Sequence, residues 1–421
     1  MRIHETTRLG RGWMAVWGAF LLAGCSQQPP ANFQKELQEQ LIKAKAGDVI
    51  QIPEGKFQLD RTMSLTADKV TIRGKGMDKS ILSFAGQKEG GQGLLVKAND
   101  FVIEDVAIED TAGDGLTIQG ANNVTVRRVR VEWTRGPNSA NGPYAIYPTE
   151  SKNVLVEDSV VKGAADAGFY IGQSDYVVMR RNRAEYNVDG YEVENSQHVD
   201  VYDNIATNNT GGLGVFNLPN LPKQGGKFVR VFHNQIYGNN TANFAPKSLG
   251  AIYHLPAGTG MYVMAINNVE VFGNKLKDNN TTNIYVIEYN PSLGEVKDAR
   301  YRPFTEQVYV HDNEIAGGGK SPDLRQDDVK ALSTRLGGLL PDFLYDGVVD
   351  PRIRAANKGA NPAKICIANN GTFSFLMFDG GNGFKHPMNE VKAYSCSLQP
   401  LEAVAIPQLP AAPVGIATRG Q

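Results

Sequence analysis

The chain has 421 residues, of which 41% are hydrophobic and 21% are charged, and its formal net charge is −1 at pH 7. Nucleic-acid binding needs a clustered basic surface, whereas basic pairs here, such as Arg127-Arg128, have carboxylates nearby in the sequence. Composition and charge therefore exclude nucleic acid as the expected partner. The 45 glycines are typical of a chain that turns every few residues.

The first 25 residues have the composition of an export signal. An apolar stretch from Trp13 to Leu22 is too short for a convincing membrane span. Three basic residues precede this stretch, namely Arg2, Arg8 and Arg11. We therefore expect residues 1–25 to be a signal peptide that is removed during export.

This segment ends in Leu22-Ala23-Gly24-Cys25, which resembles the processing box of bacterial lipoproteins. The resemblance implies that Cys25 is acylated at the start of the mature chain and that residues 26–31 form a tether. Ser26 follows the cysteine, where Asp would favour inner-membrane retention in many Gram-negative species. The expected location is the cell envelope, with a lipid anchor in the outer membrane of a Gram-negative bacterium. An ordinary secretory peptide is the alternative.

Apolar residues occur at close to helical spacing from Phe33 to Lys45. Strand-like alternation begins immediately afterwards, from Val49 onward. A stack of strands without a cap would expose its core and a free sheet edge. The segment is therefore predicted to be a helix that caps the first coil.

A phrase of the form apolar-x-apolar-x-x-Asn-x-apolar recurs along the chain. Its copies begin at Val177, Val199, Val229, Val269 and Val308, and the same register reaches back through Val154, Val124, Phe101 and Val70. The shortest intervals, 22 and 23 residues, correspond to one coil of three strands, and longer intervals are coils with loop insertions. One strand cannot bury its apolar face alone, so the coils must stack. The phrase predicts an all-β parallel β-helix over residues 32–319.

The asparagine of each phrase falls at a bend between two strands. The positions align as Ser159, Asn182, Asn204, Asn234, Asn274 and Asn313. Stacked amides can hydrogen-bond to one another and to the buried turn backbone. We interpret this column as structural. Three Asn-Asn-Thr triplets, at 208–210, 239–241 and 279–281, are interpreted as turn sequence rather than as glycosylation sites.

Two N-terminal segments carry a family resemblance: Ala46-Gly47-Asp48-Val49-Ile50-Gln51-Ile52-Pro53-Glu54-Gly55 and Val70-Thr71-Ile72-Arg73-Gly74-Lys75-Gly76. They resemble the opening coils of the right-handed parallel β-helix, or pectate-lyase-like, superfamily. That superfamily includes pectate lyases, polyuronate epimerases and sugar hydrolases. The chain is also similar to parallel β-helix repeat lipoproteins of bacterial envelopes and, less closely, to the periplasmic helper of nitrous oxide reductase maturation. The resemblance specifies a fold more than an activity.

The outward face of the repeat carries the candidate functional residues, because the inward face is committed to packing. Alignment of the strands that precede each phrase places five side chains in one exposed strip: Tyr147, Tyr170, Glu192, Glu194 and Phe216. Aromatic rings and carboxylates are what a sugar chain requires. We expect Tyr147, Tyr170 and Phe216 to bind substrate, together with His198 in the next turn.

The same strip contains the candidate catalytic groups. Glu192 and Glu194 point to the same side of one strand, so their mutual repulsion should raise one pKa, as a general acid requires. Asp166 and Asp189 lie in the turns that enter two of these strands and complete the predicted set. Carboxylates are also calcium ligands, so calcium is the candidate cofactor. The alternative is that this strip is ordinary solvated surface with Asp-Gly turns.

Three classes of function fit these patterns. The first is a lyase, epimerase or, less favoured, a hydrolase acting on an acidic polysaccharide. The second is a glycan-binding lipoprotein without catalysis, and the third is an accessory protein for a periplasmic partner such as a redox or metalloenzyme. The sequence contains neither the tripled-Asp pattern of the polygalacturonase type nor the DPHD-like signature of the alginate epimerases, and this counts against the first class. The chain is expected to be a monomer.

The C-terminal quarter departs from the repeat. Residues 320–363 are predicted to form a helical and irregular excursion, and residues 364–421 to form strands followed by a Pro-rich tail after Gln399. Cys366 and Cys396 are expected to form a disulfide, because an exported chain meets an oxidising compartment. Two separate buried thiols are the alternative.

Overall fold

The computed structural model describes residues 32–359 and 361–410. The proposed signal peptide, the tether and Cys25 lie outside the described residues, as does the end of the tail. Three ladders of parallel strands wind into one solenoid, and most turns of the solenoid contribute one strand to each ladder. No helix of the described part is long and apolar enough to cross a membrane.

The first ladder, which we call the site sheet, has eleven strands in chain order and is parallel throughout. Its strands are Arg61–Leu65, Glu89–Val96, Leu116–Gln119, Ile146–Thr149, Ala167–Gly172, Asp189–Glu194, Gly211–Phe216, Thr259–Met264, Thr282–Ile287, Phe343–Tyr345 and Phe375–Met377. The outward face of this sheet carries the candidate site.

The second ladder, the long ladder, contains the repeated phrase. Its strands are Val49–Gln51, Thr71–Arg73, Val102–Glu109, Asn122–Glu132, Lys152–Glu157, Asp175–Arg180, Gln197–Tyr202, Lys227–Phe232, Asn267–Phe272, Glu306–His311 and Ile365–Ala368. Its register pairs Val177 with Val199 and Val199 with Val229, as the repeat predicted. These inward valines are fully buried.

The third ladder, the short ladder, follows the asparagine bend. Its separate strands are Gly55–Gln58, Ser80–Ser83, Val160–Lys162, Arg183–Glu185, Ile205–Thr207, Gln235–Tyr237, Lys275–Lys277 and Glu314–Ala316. In the two coils between Ser80–Ser83 and Val160–Lys162, the strands Val102–Glu109 and Asn122–Glu132 continue through the bend and serve both ladders.

A helical cap covers the first coil, as predicted. Helix α1 spans Phe33–Lys43 and buries Phe33, Leu37 and Leu41 against the open end of the core. The Phe33 ring stacks on Phe57 with 3.7 Å between centroids. The apolar stripe at helical spacing therefore does what an end cap must do, which is to exclude water from the terminal core layer.

Amide ladders close two of the three bends. The predicted column is present, and each side chain from Asn182 to Asn313 donates to the next amide oxygen at 2.9–3.1 Å, the last of them to Asn370. A second ladder, which the sequence reading missed, runs through Asn187, Asn209, Asn239 and Asn279. The Asn-Asn-Thr triplets supply three of its members. Their amides satisfy buried backbone groups that no strand reaches.

The solenoid extends past residue 319, where the sequence analysis placed its end. Strand Ile365–Ala368 joins the long ladder, and Phe343–Tyr345 and Phe375–Met377 join the site sheet. Between them lie helices α2, Asp327–Arg335, and α3, Pro351–Ala356. Short 3-10 helices span Lys247–His254, Pro291–Leu293, Gly380–Asn382 and Val391–Tyr394. Long insertions interrupt the period of the last coils, which is why the sequence analysis did not include them in the solenoid.

The C-terminal segment folds back over the long ladder. Cys366 in the last long-ladder strand is joined by a disulfide to Cys396, with Cα atoms 4.8 Å apart. Residues 399–410, which we call the strap, then run towards the N-terminal coils. Ile406 of the strap is buried against Leu155 and Val178, two outward apolar residues of the long ladder.

Candidate functional site

Two neighbouring columns of outward side chains cross the middle of the site sheet. The register pairs Tyr170 with Glu192 and Gly172 with Glu194, and the next strand places Phe216 beside Glu194. The alignment made from the sequence therefore brings these residues together. It was wrong about exposure, because Tyr170, Glu192, Glu194 and Phe216 are only 3–6% exposed.

Loops that leave the solenoid cover this face and enclose a cavity of about 460 Å³, which we call the site cavity. Its floor is the site sheet. Its outer wall is made by the 3-10 helices Lys247–His254 and Pro291–Leu293 and by the first turn of α2. The carboxyl groups are thus withdrawn from bulk water but open to a cavity that a small ligand can fill.

Tyr262 approaches Glu192 across a glycine. The register places Gly214 between them, and the Tyr262 hydroxyl lies 3.5 Å from Glu192 Oε1. A Cβ at Gly214 would overlap the Tyr262 ring, so only glycine lets the ring lie flat on the sheet there. The glycine thereby positions a phenol beside a carboxyl that is 70 residues earlier in the chain.

Tyr170 and Glu194 repeat this arrangement one column away. Gly172 pairs with Glu194, and a Cβ at Gly172 would overlap the Tyr170 ring. The ring therefore folds over Gly172 and brings its hydroxyl next to the Glu194 carboxyl. In both cases a glycine leaves room for a tyrosine ring, and the ring brings its hydroxyl next to a carboxyl group of the strand Asp189–Glu194.

Tyr144 is a site residue that the sequence analysis missed. Its ring stacks on Tyr147 at 4.5 Å and lies 4.8 Å from Tyr170, which makes a cluster of three tyrosines, of which Tyr144 lines the site cavity. The Tyr144 hydroxyl neighbours the Asp166 carboxyl. Tyr144 sits in the loop before its strand, so the alternation that found Tyr147 could not find it.

Burial dominates the electrostatics of the carboxyl cluster. Desolvation raises the pKa of Glu194 to about 7. Desolvation and neighbouring carboxylates raise the pKa values of Glu192 and Asp166 well above the ordinary range. The charged form of a carboxyl is disfavoured in a site with few waters and no positive partner. At neutral pH this cluster therefore holds protons that exposed carboxyls would have lost.

Two further aspartates extend the cluster behind the cavity. Asp189 is fully buried, neither of its oxygens makes a hydrogen bond of good geometry among the described residues, and desolvation raises its pKa to about 8. Asp114 accepts from the Thr117 hydroxyl at 3.2 Å, and desolvation raises its pKa to about 6. Asp114 was not singled out from the sequence, where Asp-Gly reads as a turn.

His198 does not belong to the site. Its ring is stacked between Tyr176 and Phe228, and Nδ1 lies 2.8 Å from Asp175 Oδ1. All four residues belong to the beginnings of long-ladder strands, whereas the site cavity lies on the site sheet. His198 is therefore not brought together with the other predicted substrate-binding residues, because the bend after Glu194 carries the chain onto a different face.

The site cavity is lined by carboxyl groups without basic partners. Six acidic residues line it: Asp166, Glu192, Glu194, Glu288, Asp327 and Asp328. Among the described residues, neither Lys nor Arg lines it, and the one lining histidine, His254, is exposed. Nor does the described chain contain a group of three His, Cys, Asp or Glu side chains placed to hold a metal ion. The calcium expectation thus has no ligand set here.

Comparison with known proteins identifies the fold. The profile of the family described as "Right handed beta helix region" matches residues 58–223. No protein of curated function matches the sequence. The A-module of mannuronan C-5 epimerase AlgE4 from Azotobacter vinelandii is 17% identical with a TM-score of 0.51, and the match covers 68% of this chain and 85% of that one.

Two other solved structures are similar at lower TM-scores. An alginate lyase from Paenibacillus is 16% identical with a TM-score of 0.47, over 68% of this chain and 94% of that one. The catalytic unit of a GH87 α-1,3-glucanase from Streptomyces thermodiastaticus is 15% identical with a TM-score of 0.47, over 75% and 48%. The fold of the chain is therefore that of a right-handed parallel β-helix, as its N-terminal coils indicated.

Proposed function

We propose that this protein binds a polysaccharide segment in the site cavity and cleaves a glycosidic bond there by general acid and base catalysis. One observation carries the proposal: two buried carboxyl groups on one strand, each beside a tyrosine hydroxyl, face a cavity of about 460 Å³. Paired carboxyls of unequal pKa are the groups that glycosidic cleavage requires. A polysaccharide substrate agrees with the epimerase of similar fold, which acts on mannuronan.

The two carboxyls have different roles in this mechanism. Glu194, with a pKa of about 7, is the one that ionises near neutral pH, so it serves as the base that activates water or as the nucleophile. Glu192 keeps its proton to higher pH and serves as the acid that protonates the leaving oxygen. The Tyr262 hydroxyl positions Glu192 from 3.5 Å. The tyrosine cluster offers ring faces to a sugar chain.

The lining favours hydrolysis over elimination. A lyase or epimerase abstracts a proton next to a uronate carboxylate, and that carboxylate must be neutralised by cations. Neither Lys nor Arg of the described chain lines the site cavity. We therefore propose a substrate without uronate groups, in place of the acidic polysaccharide expected from the sequence. Binding without cleavage, or a scaffold role for a periplasmic partner, are the outcomes that would replace this proposal.

The test is to incubate the detergent-purified protein with neutral, amino and acidic polysaccharides and to measure new reducing ends and ultraviolet-absorbing unsaturated uronate. We expect reducing ends without unsaturated product. Glu192→Gln and Glu194→Gln should each lower the rate by about 10²–10⁴-fold. The matched control Glu54→Gln, whose side chain is 68% exposed and remote from the cavity, should stay within two-fold of wild type. Unsaturated uronate would establish a lyase, and retention without product would establish a binding protein.

We also propose that Cys25 carries the lipid that anchors the protein in the envelope. The support is the sequence Leu22-Ala23-Gly24-Cys25 after a short apolar stretch. Cells fed an alkyne fatty acid should label the wild-type protein but not Cys25→Ser, and density fractionation should place the label with outer membranes. Equal labelling of both proteins would reject the anchor.

A further inference from the structure

The site cavity differs from the rest of this solenoid in how its carboxyl groups are balanced. Buried carboxylates on the long ladder all have a basic partner in the described chain: Glu104 with Arg73, Glu109 with Arg130, Glu157 with Arg127 and Arg180, Asp200 with Arg230, Glu270 with His311, and Glu306 with Arg302. Hydrogen bonds from Arg180 and Arg127 outweigh the effect of burial and lower the pKa of Glu157. Glu192 and Glu194 are equally buried on the same fold and lack such partners.

An ionised carboxyl without a charge partner is strongly unfavourable in a buried site. Apolar residues of similar volume would avoid that cost. At the site cavity, Asp166, Glu192 and Glu194 are buried, and no Lys or Arg of the described residues lines the cavity with them. A molecule that brings a positive charge into the cavity would stabilise the ionised form of these three groups.

The carboxyl groups also retain free hydrogen-bonding capacity towards the cavity. Glu194 is 6% exposed and lines the cavity, and its carboxyl has the Tyr170 hydroxyl as a hydrogen-bond partner. Tyr170 is its nearest hydroxyl. A carboxylate has about four acceptor sites, so most of those on Glu194 face the ligand space. A donor with several N–H groups is what such a site lacks.

The lining of the cavity combines carboxyl groups with apolar side chains. Asp166, Glu192 and Glu194 belong to the floor, whereas Glu288 lies in a loop and Asp327 and Asp328 in the first turn of α2. The apolar lining includes Met264, Ile287, Leu293 and the ring of Phe216. A ligand that contacts both kinds of lining needs cationic groups on a partly apolar body.

We propose that the glycan taken by this cavity carries free amino groups, as a de-N-acetylated amino-sugar polymer does. This inference rests on the proposed function and adds the class of substrate. A protonated amine supplies three donors and the charge that buried carboxylates lack, while the sugar rings supply the apolar faces between successive amines. A uronate would instead bring a negative charge to a wall that already holds six carboxyls. The described residues provide no metal-ion cluster that would reverse that choice.

Titration calorimetry with the full-length protein tests this choice. The probes are the glucosamine hexamer, the N-acetylglucosamine hexamer, a neutral glucan hexamer and spermidine. We expect the glucosamine hexamer to bind in a one-to-one complex with a Kd at least ten-fold lower than that of its acetylated counterpart. Glu192→Gln and Glu194→Gln should each raise the Kd of the glucosamine hexamer at least ten-fold. The Kd of the acetylated hexamer should stay within two-fold in both variants. The remote control Glu54→Gln should change neither Kd.

The outcomes separate the two proposals. Equal affinity for the acetylated and free-amine hexamers would overturn the amino-sugar inference and leave glycan binding in place. Spermidine binding as tightly as the glucosamine hexamer would show that the cavity recognises amines and not sugar. Failure of every hexamer to bind would overturn both the inference and the proposed function. Glutamine is the chosen replacement because it has the shape of the protonated carboxyl. A thermal melt of each variant establishes that it is folded.

Discussion

The Tyr262 hydroxyl lies 3.5 Å from Glu192 Oε1, although the two residues are 70 positions apart and belong to strands separated by a third. The contact exists because the intervening strand presents Gly214 at that level. The same device brings Tyr170 over Gly172 towards Glu194. Absence of a side chain at two positions thus lets a tyrosine hydroxyl reach each of the two proposed catalytic groups.

The first prediction concerns Gly214. In Gly214→Ala, the new methyl group should displace the Tyr262 ring, separate its hydroxyl from Glu192 and lower glycan cleavage at least ten-fold. Overpacking of this kind destabilises a protein by about 1–3 kcal/mol. Activity and thermal unfolding should both be measured. The control is Gly86→Ala, because a Cβ at Gly86 meets no atom within 4 Å. Unchanged activity in Gly214→Ala would show that Tyr262 has no positioning role.

The second prediction concerns pH. The folded-state pKa of Glu194, about 7, lies above its ordinary value of 4.5, so the folded protein binds this proton more tightly than the unfolded chain. The associated stability is present below about pH 4.5 and is lost as the pH rises through about 7. A pKa difference of one corresponds to about 1.4 kcal/mol, so the stability that the Glu194 proton contributes amounts to a few kcal/mol.

Glu194→Gln should remove that dependence. Its melting temperature should equal that of wild type near pH 4.5 and exceed it by several degrees at pH 8. Thermal unfolding of both proteins from pH 4 to 9 provides the measurement, with Glu54→Gln as the exposed control. A variant that is less stable than wild type at pH 8 would mean that Glu194 is paired with a cation in solution.

The third prediction concerns the predicted amide ladder. Asn234 donates to Val201 O and Asn274 Oδ1 and accepts from the Asn204 backbone and side chain. Asn234→Ala leaves these buried groups without partners, at about 1–3 kcal/mol for each unsatisfied group. Denaturant unfolding should show a loss of several kcal/mol. Asn138→Ala, at an exposed residue whose side chain accepts from Ala140 N, should lose less than about 1 kcal/mol.

The fourth prediction concerns the strap. Ile406 is 4% exposed and packs on Leu155 and Val178. Truncation of a buried isoleucine destabilises a protein by about 2–5 kcal/mol, and we expect Ile406→Ala to lie at the lower end, because the strap is one layer thick. Hydrogen exchange of the Leu155 and Val178 amides should accelerate. Glu402→Ala, in the exposed part of the strap, should have no effect on either measurement.

Periodicity explains what the sequence could and could not predict. Val177, Val199 and Val229 are spaced by the coil itself, so their inward packing and the neighbouring amide column were readable. The second amide ladder was missed because Asn209 and Asn239 stand in triplets that also suit an ordinary turn. The coils after residue 319 were missed because insertions with no repeat separate strands such as Phe343–Tyr345 from their neighbours.

The site was predictable only within the sheet. Register placed Glu192, Glu194 and Tyr170 together, because outward residues follow the same alternation as inward ones. Their burial depends on loops, such as the one around Leu293, whose path no period describes. Tyr262 sits in the same column as Glu192, but its contact depends on a ring lying across Gly214, and alternation does not specify a rotamer.

The strap changes how this molecule should come apart. A solenoid in which each coil touches only its neighbours can fray from either end, one coil at a time. Here Gln408 donates to the carbonyls of Val124 and Asn153, 284 and 255 residues away, while Leu401 binds Glu270 across the later coils. The strap thus connects coils that are not neighbours in the stack. The coils between Val124 and Glu270 cannot separate until the strap has been released, so this part of the stack should unfold as a single cooperative unit.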